Sequence, residues 1–323
     1  LDDKKMGGPA FLFPGQGSQR VGMGKELLQI YPEGKLVFQE AEKVLGLDLL
    51  EMCLAGPEDE LTRTINAQPA LLTLNWVVTR FLQTNRIKPQ VLAGHSLGEY
   101  SAILAAGVVD YPAALRIVRR RAELMEQASQ NSKGAMAAII GLGPSTVTSI
   151  CQEIDEIVEA VNFNSPSQTV ISGEEKGIDE AMKLLREKGA KRVVRLPVSG
   201  AFHTPLMREA ASKFSQFLDE IDFAQPSCPI VANVDAEYKT TGNAVKRALK
   251  RQINHPVLWE KSMKNILGRG VDVFLEVGPG RVLKGLMRRI DSKATVLETE
   301  TKERLSAIQE KFCGSFMGNK VTS

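Results

Sequence analysis

Val91-Leu92-Ala93-Gly94-His95-Ser96-Leu97-Gly98-Glu99-Tyr100 puts a serine between two glycines where an apolar run ends and a helical stretch, Leu97 to Ala106, begins. That is the strand–turn–helix context of a nucleophile elbow. Ser96 then occupies a strained turn in which a side chain at either flanking glycine would clash. Its hydroxyl projects from the strand end, and the Leu97 amide faces a developing oxyanion. The same letters also fit a glycine-rich turn with a solvated serine, so the motif alone is a lead and not a function.

Working outward, the 323 residues are 43% hydrophobic and 24% charged, ordinary for a soluble globular enzyme with a sizeable core. No apolar stretch approaches the roughly 18 residues of a membrane span. Leu1 to Pro9 is short and charged without a signal-type apolar region, and Met6 is a candidate native start, with the residues before it left open. Cys53, Cys151, Cys228 and Cys313 form no CxxC pair, which fits a reducing, cytoplasmic setting and neither a zinc site nor a disulfide framework. Three histidines are too few for a His-rich metal centre. A net charge of +3 does not call for nucleic acid and suits an anionic ligand or an acidic partner.

The pattern is α/β. Ala10 to Phe13 reads as a strand before the loop Gly15-Gln16-Gly17-Ser18-Gln19, and Pro69 to Gln83 and Tyr111 to Gln127 carry helical spacing, the first opening on its proline. Strands over Ala135–Gly141, Ile157–Phe163, Thr169–Ser172 and Arg192–Leu196 enclose helices over Ser145–Glu153 and Gly177–Lys188. That βαββαβ order within about 65 residues is the ferredoxin-like signature. Strands over Ile230–Asn233 and Val271–Val277 and helices over Ala244–Gln252 and Arg281–Arg289 complete the chain. The expectation is a large α/β-hydrolase-like domain with a parallel sheet, over residues 9–129 and 197–312. It carries an inserted ferredoxin-like small subdomain over 130–196, and a C-terminal tail follows over 313–323.

A serine nucleophile needs a base. His95 diverges from the same elbow, and His255 precedes Pro256 in an extended stretch that suits a surface or packing role. His203 lies in the small-residue loop Ser199-Gly200-Ala201-Phe202-His203-Thr204 after a strand, where catalytic groups gather, though a capping or core role fits it equally. The Gly15-Gln16-Gly17 loop has Arg20 where a dinucleotide fingerprint needs glycine and lacks a Walker ending; its use would be to bring a backbone amide close to a reacting centre. Arg116, Arg119, Arg120 and Arg121 share one helix but cannot share a face. An arginine turned inward would take a carboxylate; a solvated face accounts for the others.

Five ordered motifs, Phe13-Pro14-Gly15-Gln16-Gly17-Ser18-Gln19, Gly94-His95-Ser96-Leu97-Gly98-Glu99, Ala201-Phe202-His203, Asn233-Val234-Asp235-Ala236 and Glu276-Val277-Gly278-Pro279-Gly280, together resemble the malonyl-CoA:acyl carrier protein transacylase family from about Ala10 to Ile290. The resemblance implies Ser96 as acylated nucleophile, His203 as base and Gln252 as the residue whose main-chain carbonyl orients it. It implies an oxyanion hole from the Gln16 and Leu97 amides, Arg121 as the ligand of the malonyl carboxylate, and Asn162 in the cleft. It also implies malonyl-CoA and acyl carrier protein as partners, fatty acid synthesis as the setting and no cofactor. Lys284 and Arg288 are the expected carrier-docking residues, and the chain is expected to be a monomer. Rival readings are a polyketide-loading acyltransferase, a hydrolase with the same Ser-His pair, and a non-catalytic docking module. Phe202 resembles the malonate-selective version, and an inward Arg121 argues against a general hydrolase.

Overall fold

The computed structural model describes residues 8–313 other than Ser132 and Ser199. The candidate start at Met6 and the tail beyond Cys313 lie outside the described residues. Ten strands occur among those described: β1 (Ala10–Phe13), β2 (Val91–Gly94), β3 (Gly134–Ile140), β4 (Val158–Ser165), β5 (Gln168–Glu174), β6 (Arg192–Arg195), β7 (Ile230–Val231), β8 (Tyr238–Lys239), β9 (Val273–Glu276) and β10 (Thr295–Glu298).

Six of them form the main sheet in the order β10-β9-β1-β2-β7-β8, parallel throughout except for the β7–β8 edge pair. Every residue of β1 and β2 is buried, which is why both read as unbroken apolar runs. The register sets Phe13 against Gly94, Leu12 against Glu276 and Ala93 against Val231. The loops after β1, β2, β7 and β9 therefore leave one edge of the sheet side by side, and four of the five sequence motifs meet there. Ligands of open parallel sheets bind at this carboxyl edge.

The second sheet runs β4-β5-β3-β6, antiparallel at every pair, in the βαββαβ order read from the sequence. One of its faces packs Ala137, Ile139 and Ile171 against the Pro144–Gln152 and Glu175–Glu187 helices. The opposite face gives Met136, Ala138, Val161 and Val170 to the main core. The insertion is tied down further by β4, where the Phe163 amide donates to Val257 O (3.0 Å) and the Val257 amide to Val161 O (2.7 Å).

Pro69 does not open its helix. The helix runs Thr64–Thr84 with Pro69 inside it, and all residues from Asn66 to Asn75 are buried. Burial on all sides outweighs the one backbone bond that proline cannot make. Short helices between Lys25 and Thr62, and those at Arg208–Asp219, Trp259–Leu267 and Lys302–Cys313, were not assigned from the sequence, nor were β8 and β10.

Backbone contact at the elbow is close enough to exclude any side chain. A Cβ on Gly98 would lie 2.0 Å from Phe13 O, and one on Gly94 1.9 Å from the Gly98 carbonyl carbon. At Gly143 a Cβ would meet nothing within 4 Å, and φ is −71°. Gly98→Ala is expected to destabilise the fold by at least about 3 kcal/mol, because backbone cannot give way as a side-chain tip can. Gly143→Ala should stay within about 0.5 kcal/mol of the parent. Urea melts of both variants check the contrast, and equal melts would show the β1–elbow contact to be loose.

Candidate active site

Ser96 follows β2 with φ of +49°, a conformation that L residues seldom adopt. Asn233, in the loop after β7, holds this turn at both ends. Its Oδ1 accepts from the Ser96 amide (2.8 Å) and its Nδ2 donates to Gly94 O (2.7 Å). That gives the Asn233-Val234-Asp235-Ala236 motif a mechanical role that spacing alone did not reveal.

The serine hydroxyl faces two other side chains. Ser96 Oγ lies 2.8 Å from His203 Nε2, and Arg121 Nη2 donates to it at 3.0 Å. On the far side of the ring, His203 Nδ1 lies 2.9 Å from Gln252 O and 3.1 Å from His255 O. Carbonyls can only accept, so Nδ1 carries the proton and Nε2 is free to accept from the hydroxyl. Burial, and secondarily the positive charge of Arg121, push the His203 pKa down to about 3, so the ring is a neutral base across physiological pH. His255 enters through its main chain, which its place in an extended stretch before Pro256 gave no reason to expect. His95 points away: its Nε2 lies 2.7 Å from Asn164 Oδ1, and its ring rests on Trp259 at 5.4 Å.

Arg121 is 1% exposed. Arg119 and Arg120 pair instead with Glu123 at the surface. Arg121 Nη1 donates to Gln68 Oε1 (2.8 Å), Nη2 donates to Gln252 Oε1 (3.1 Å), and the guanidinium lies 5.1 Å from the centre of the Tyr100 ring. Among the described residues no carboxylate pairs with it, and its Nε has no hydrogen-bond partner. Gln68 was missed from the sequence, because it lies one residue before the helix expected over Pro69 to Gln83 and falls inside the longer Thr64–Thr84 helix. Glu99 was quoted within the elbow motif without a role. It is buried, its Oε2 accepts from Gln252 Nε2 (2.8 Å) and the Asn233 amide (3.3 Å), and burial raises its pKa to about 7 against the pull of those two bonds.

The loop after β1 closes the site. A Cβ on Gly15 would stand 2.3 Å from His95 O and 3.7 Å from Leu97 N, so the Gly15-Gln16 backbone runs against the elbow. Neither the Gln16 nor the Leu97 amide donates to a protein acceptor among the described residues, which leaves both able to serve an oxyanion. The Gln16 side chain donates to Thr64 Oγ1 (3.1 Å). A cleft of about 310 Å³ is lined by Gln16, Arg63, Thr64, Glu126, Val198 and Phe202 among others; it reaches the site through Gln16, and Ser96 and His203 do not line it.

The remaining expected residues lie apart from this cluster. Asn162 is buried on β4 with its Oδ1 unpartnered, and it is the neighbouring Asn164 that bonds His95. Lys284 pairs with Glu298 at 3.1 Å, whereas Arg288 is exposed. The Glu276 carboxylate accepts from the Leu283 and Lys284 amides and caps the Val282–Ile290 helix, so the Glu276–Gly280 motif builds the fold.

Residues 10–307 match the family described as acyl transferase domain. The chain is 43% identical over 304 residues to the malonyl CoA-acyl carrier protein transacylase of Escherichia coli K12, covering 93% of this chain and 98% of that one. It is 41% identical to the protein of the same name from Bacillus subtilis 168, over 93% of this chain and 96% of the relative. The malonyl CoA-acyl carrier protein transacylase structure from Coxiella burnetii superposes with a TM-score of 0.92 at 38% identity, covering 94% of this chain and 98% of that one. A malonyl-transacylase solved in complex with a type II PKS acyl-carrier protein gives 0.91 at 41% identity, covering 94% and 99%. Matched over 93% of its length at 41% and 43% identity, the chain belongs to the malonyl CoA-acyl carrier protein transacylase family of acyl transferases.

Proposed function

We propose that this chain moves a malonyl group from malonyl-CoA to the phosphopantetheine thiol of acyl carrier protein, through a malonyl ester on Ser96. The observation that carries the reading is the meeting of three groups at one oxygen. Ser96 Oγ touches a neutral imidazole nitrogen at 2.8 Å and a buried guanidinium at 3.0 Å. A hydrolase of uncharged esters has no use for that buried cation, because an unmatched charge in the interior is costly.

In the proposed reaction His203 Nε2 takes the Ser96 proton as Oγ attacks the thioester carbon. The Gln16 and Leu97 amides receive the oxyanion, a contribution of about 3 kcal/mol per donor. The C–S bond breaks, His203 returns the proton to the CoA sulfur, and the malonyl ester remains with its carboxylate on Arg121. The carrier thiol then gives its proton to His203 and attacks the ester carbonyl; the C–O bond to Ser96 breaks, the malonyl group leaves on the carrier sulfur, and His203 returns the proton to Ser96 Oγ. The Gln252 and His255 carbonyls take the orienting place that a carboxylate holds in the Ser-His-Asp triad. Asn162, whose buried Oδ1 is unpartnered, is given no step in this reaction.

The division into a catalytic body over 9–129 and 197–312 and an insertion over 130–196 belongs to the same proposal, as does a monomer in the cytoplasm serving fatty acid synthesis. No helix among the described residues is long and apolar enough to cross a membrane. For carrier docking the exposed Arg288 is favoured over Lys284, whose charge Glu298 already meets. Arg288→Glu is expected to raise KM for the carrier about threefold or more while leaving acylation by malonyl-CoA unchanged. Steady-state kinetics at two salt concentrations check it, and a KM indifferent to both would move the docking surface elsewhere.

Intact-mass measurement tests the ester. Malonyl-CoA should add about 86 Da to the wild type and nothing to Ser96→Ala. Arg121→Ala should lose malonyl transfer by about tenfold or more while keeping acetyl transfer, the loss of one charge-assisted pair. An adduct surviving in Ser96→Ala, or equal losses on both acyl groups, would overturn the assignment.

The neutral His203 also has a stability signature. Its folded pKa is about 3, whereas the unfolded chain titrates near 6.5, so between those values only the unfolded state takes up the proton. Stability from this group is complete above 6.5 and is lost as pH falls towards 3. Between pH 7 and pH 5 the wild type should lose about 2 kcal/mol more than His203→Gln, other groups cancelling in the difference. Denaturant melts at the two pH values measure it, and parallel losses would mean a histidine open to solvent.

A further inference from the structure

We propose that Glu99 is a positioning residue for acyl selection, acting on Arg121 through the side-chain amide of Gln252. The proposal rests on the reading of Arg121 as carboxylate ligand. Gln252 Nε2 donates one hydrogen to Glu99 Oε2 and the other to Ser96 O, each at 2.8 Å, and its Oε1 accepts from Arg121 Nη2 at 3.1 Å. Reversed, the amide would set its NH2 against a guanidinium and its oxygen against two acceptors. Both amide hydrogens and the carbonyl oxygen find partners in one orientation only.

The other half of the arginine cradle is held less firmly. Gln68 accepts from Arg121 Nη1, but its own Nε2 reaches only Gln16 Oε1 at 3.4 Å and Met125 Sδ at 3.6 Å. The fork is therefore fixed mainly from the Gln252 side. Of the two anchors of that amide, Ser96 O belongs to the strained elbow, and Glu99 is the one side chain. Gln252 also keeps the carboxylate of Glu99 one amide away from the guanidinium. Direct contact would satisfy Arg121 internally and remove its need for a substrate carboxylate; the spacer transmits geometry without doing so. Protonated or not, Glu99 presents Oε2 as an acceptor, so the positioning role needs the acceptor and not the charge.

Acylation rates of the full chain with malonyl-CoA and acetyl-CoA test this, in Glu99→Leu, Glu99→Gln, Gln252→Leu and the Glu99→Leu/Gln252→Leu double variant. Glu99→Leu should lower the malonyl-to-acetyl ratio of kcat/KM about tenfold, and Glu99→Gln, which keeps an acceptor at that position, should stay within about threefold of wild type. The double variant should match Gln252→Leu alone, because two residues acting through one bond are not additive. A merely structural Glu99 would slow both donors alike. The proposal is overturned by an unchanged ratio in Glu99→Leu, by equal loss in Glu99→Gln, or by effects that multiply in the double variant. Should Glu99→Leu not fold, Glu99→Asp withdraws the acceptor by one methylene and must lower the ratio in the same direction. A wild type with no malonyl preference would instead overturn the reading of Arg121 beneath it.

Discussion

A positive charge enclosed in protein with no carboxylate paired to it among the described residues sets the terms for the rest of the site. Arg121 cannot shed its proton in any accessible range, and its burial forgoes hydration that neutral partners replace only in part. Two glutamine oxygens, a serine hydroxyl and an aromatic face hold it. These are enough to keep the guanidinium aimed, and too little to satisfy it. Burial, and after it the same charge, depress His203, so nucleophile, base and acyl selector are coupled through one group. A fold carrying such an arrangement gives up stability for a standing attraction to an anion.

The geometry that makes this possible is a property of the sheet more than of any loop. Parallel strands in register deliver their following turns to one edge, and here the Gly15 loop, the elbow and the Asn233 loop leave it together. The strain at Ser96 is offset by Asn233, which satisfies the turn from outside. That division of labour explains why residues more than 130 apart in the chain are needed to hold one serine.

Much of this was legible beforehand, for identifiable reasons. The elbow could be read because its glycines are demanded by backbone contact, and glycine at such a place has no substitute. The βαββαβ insertion could be read because short amphipathic elements leave clear periodicity. Which arginine turns inward could be narrowed by helical geometry but not decided by it, since Arg119 and Arg121 differ only in what lies opposite. Gln68, Glu99 and the His255 carbonyl were not legible as site members, because their roles depend on long-range contacts that leave no local pattern. The helix through Pro69 ran against a local rule, and the tertiary burial that overrode the rule is invisible in a sequence window.

The inserted sheet has two dry faces. Its outer face meets its own helices, but Met136, Ala138, Val161 and Val170 are part of the main core, and β4 is hydrogen-bonded to the strand-like segment at Val257 just beyond the carbonyls that orient His203. Exchanging this insertion between relatives is therefore core surgery. A graft matched only at its two chain crossings would open voids in the main core and loosen the base. A graft that carries its inner-face partners with it would preserve both. Diversity in this family should accordingly collect on the insertion's outer helices, where change costs the catalytic body nothing.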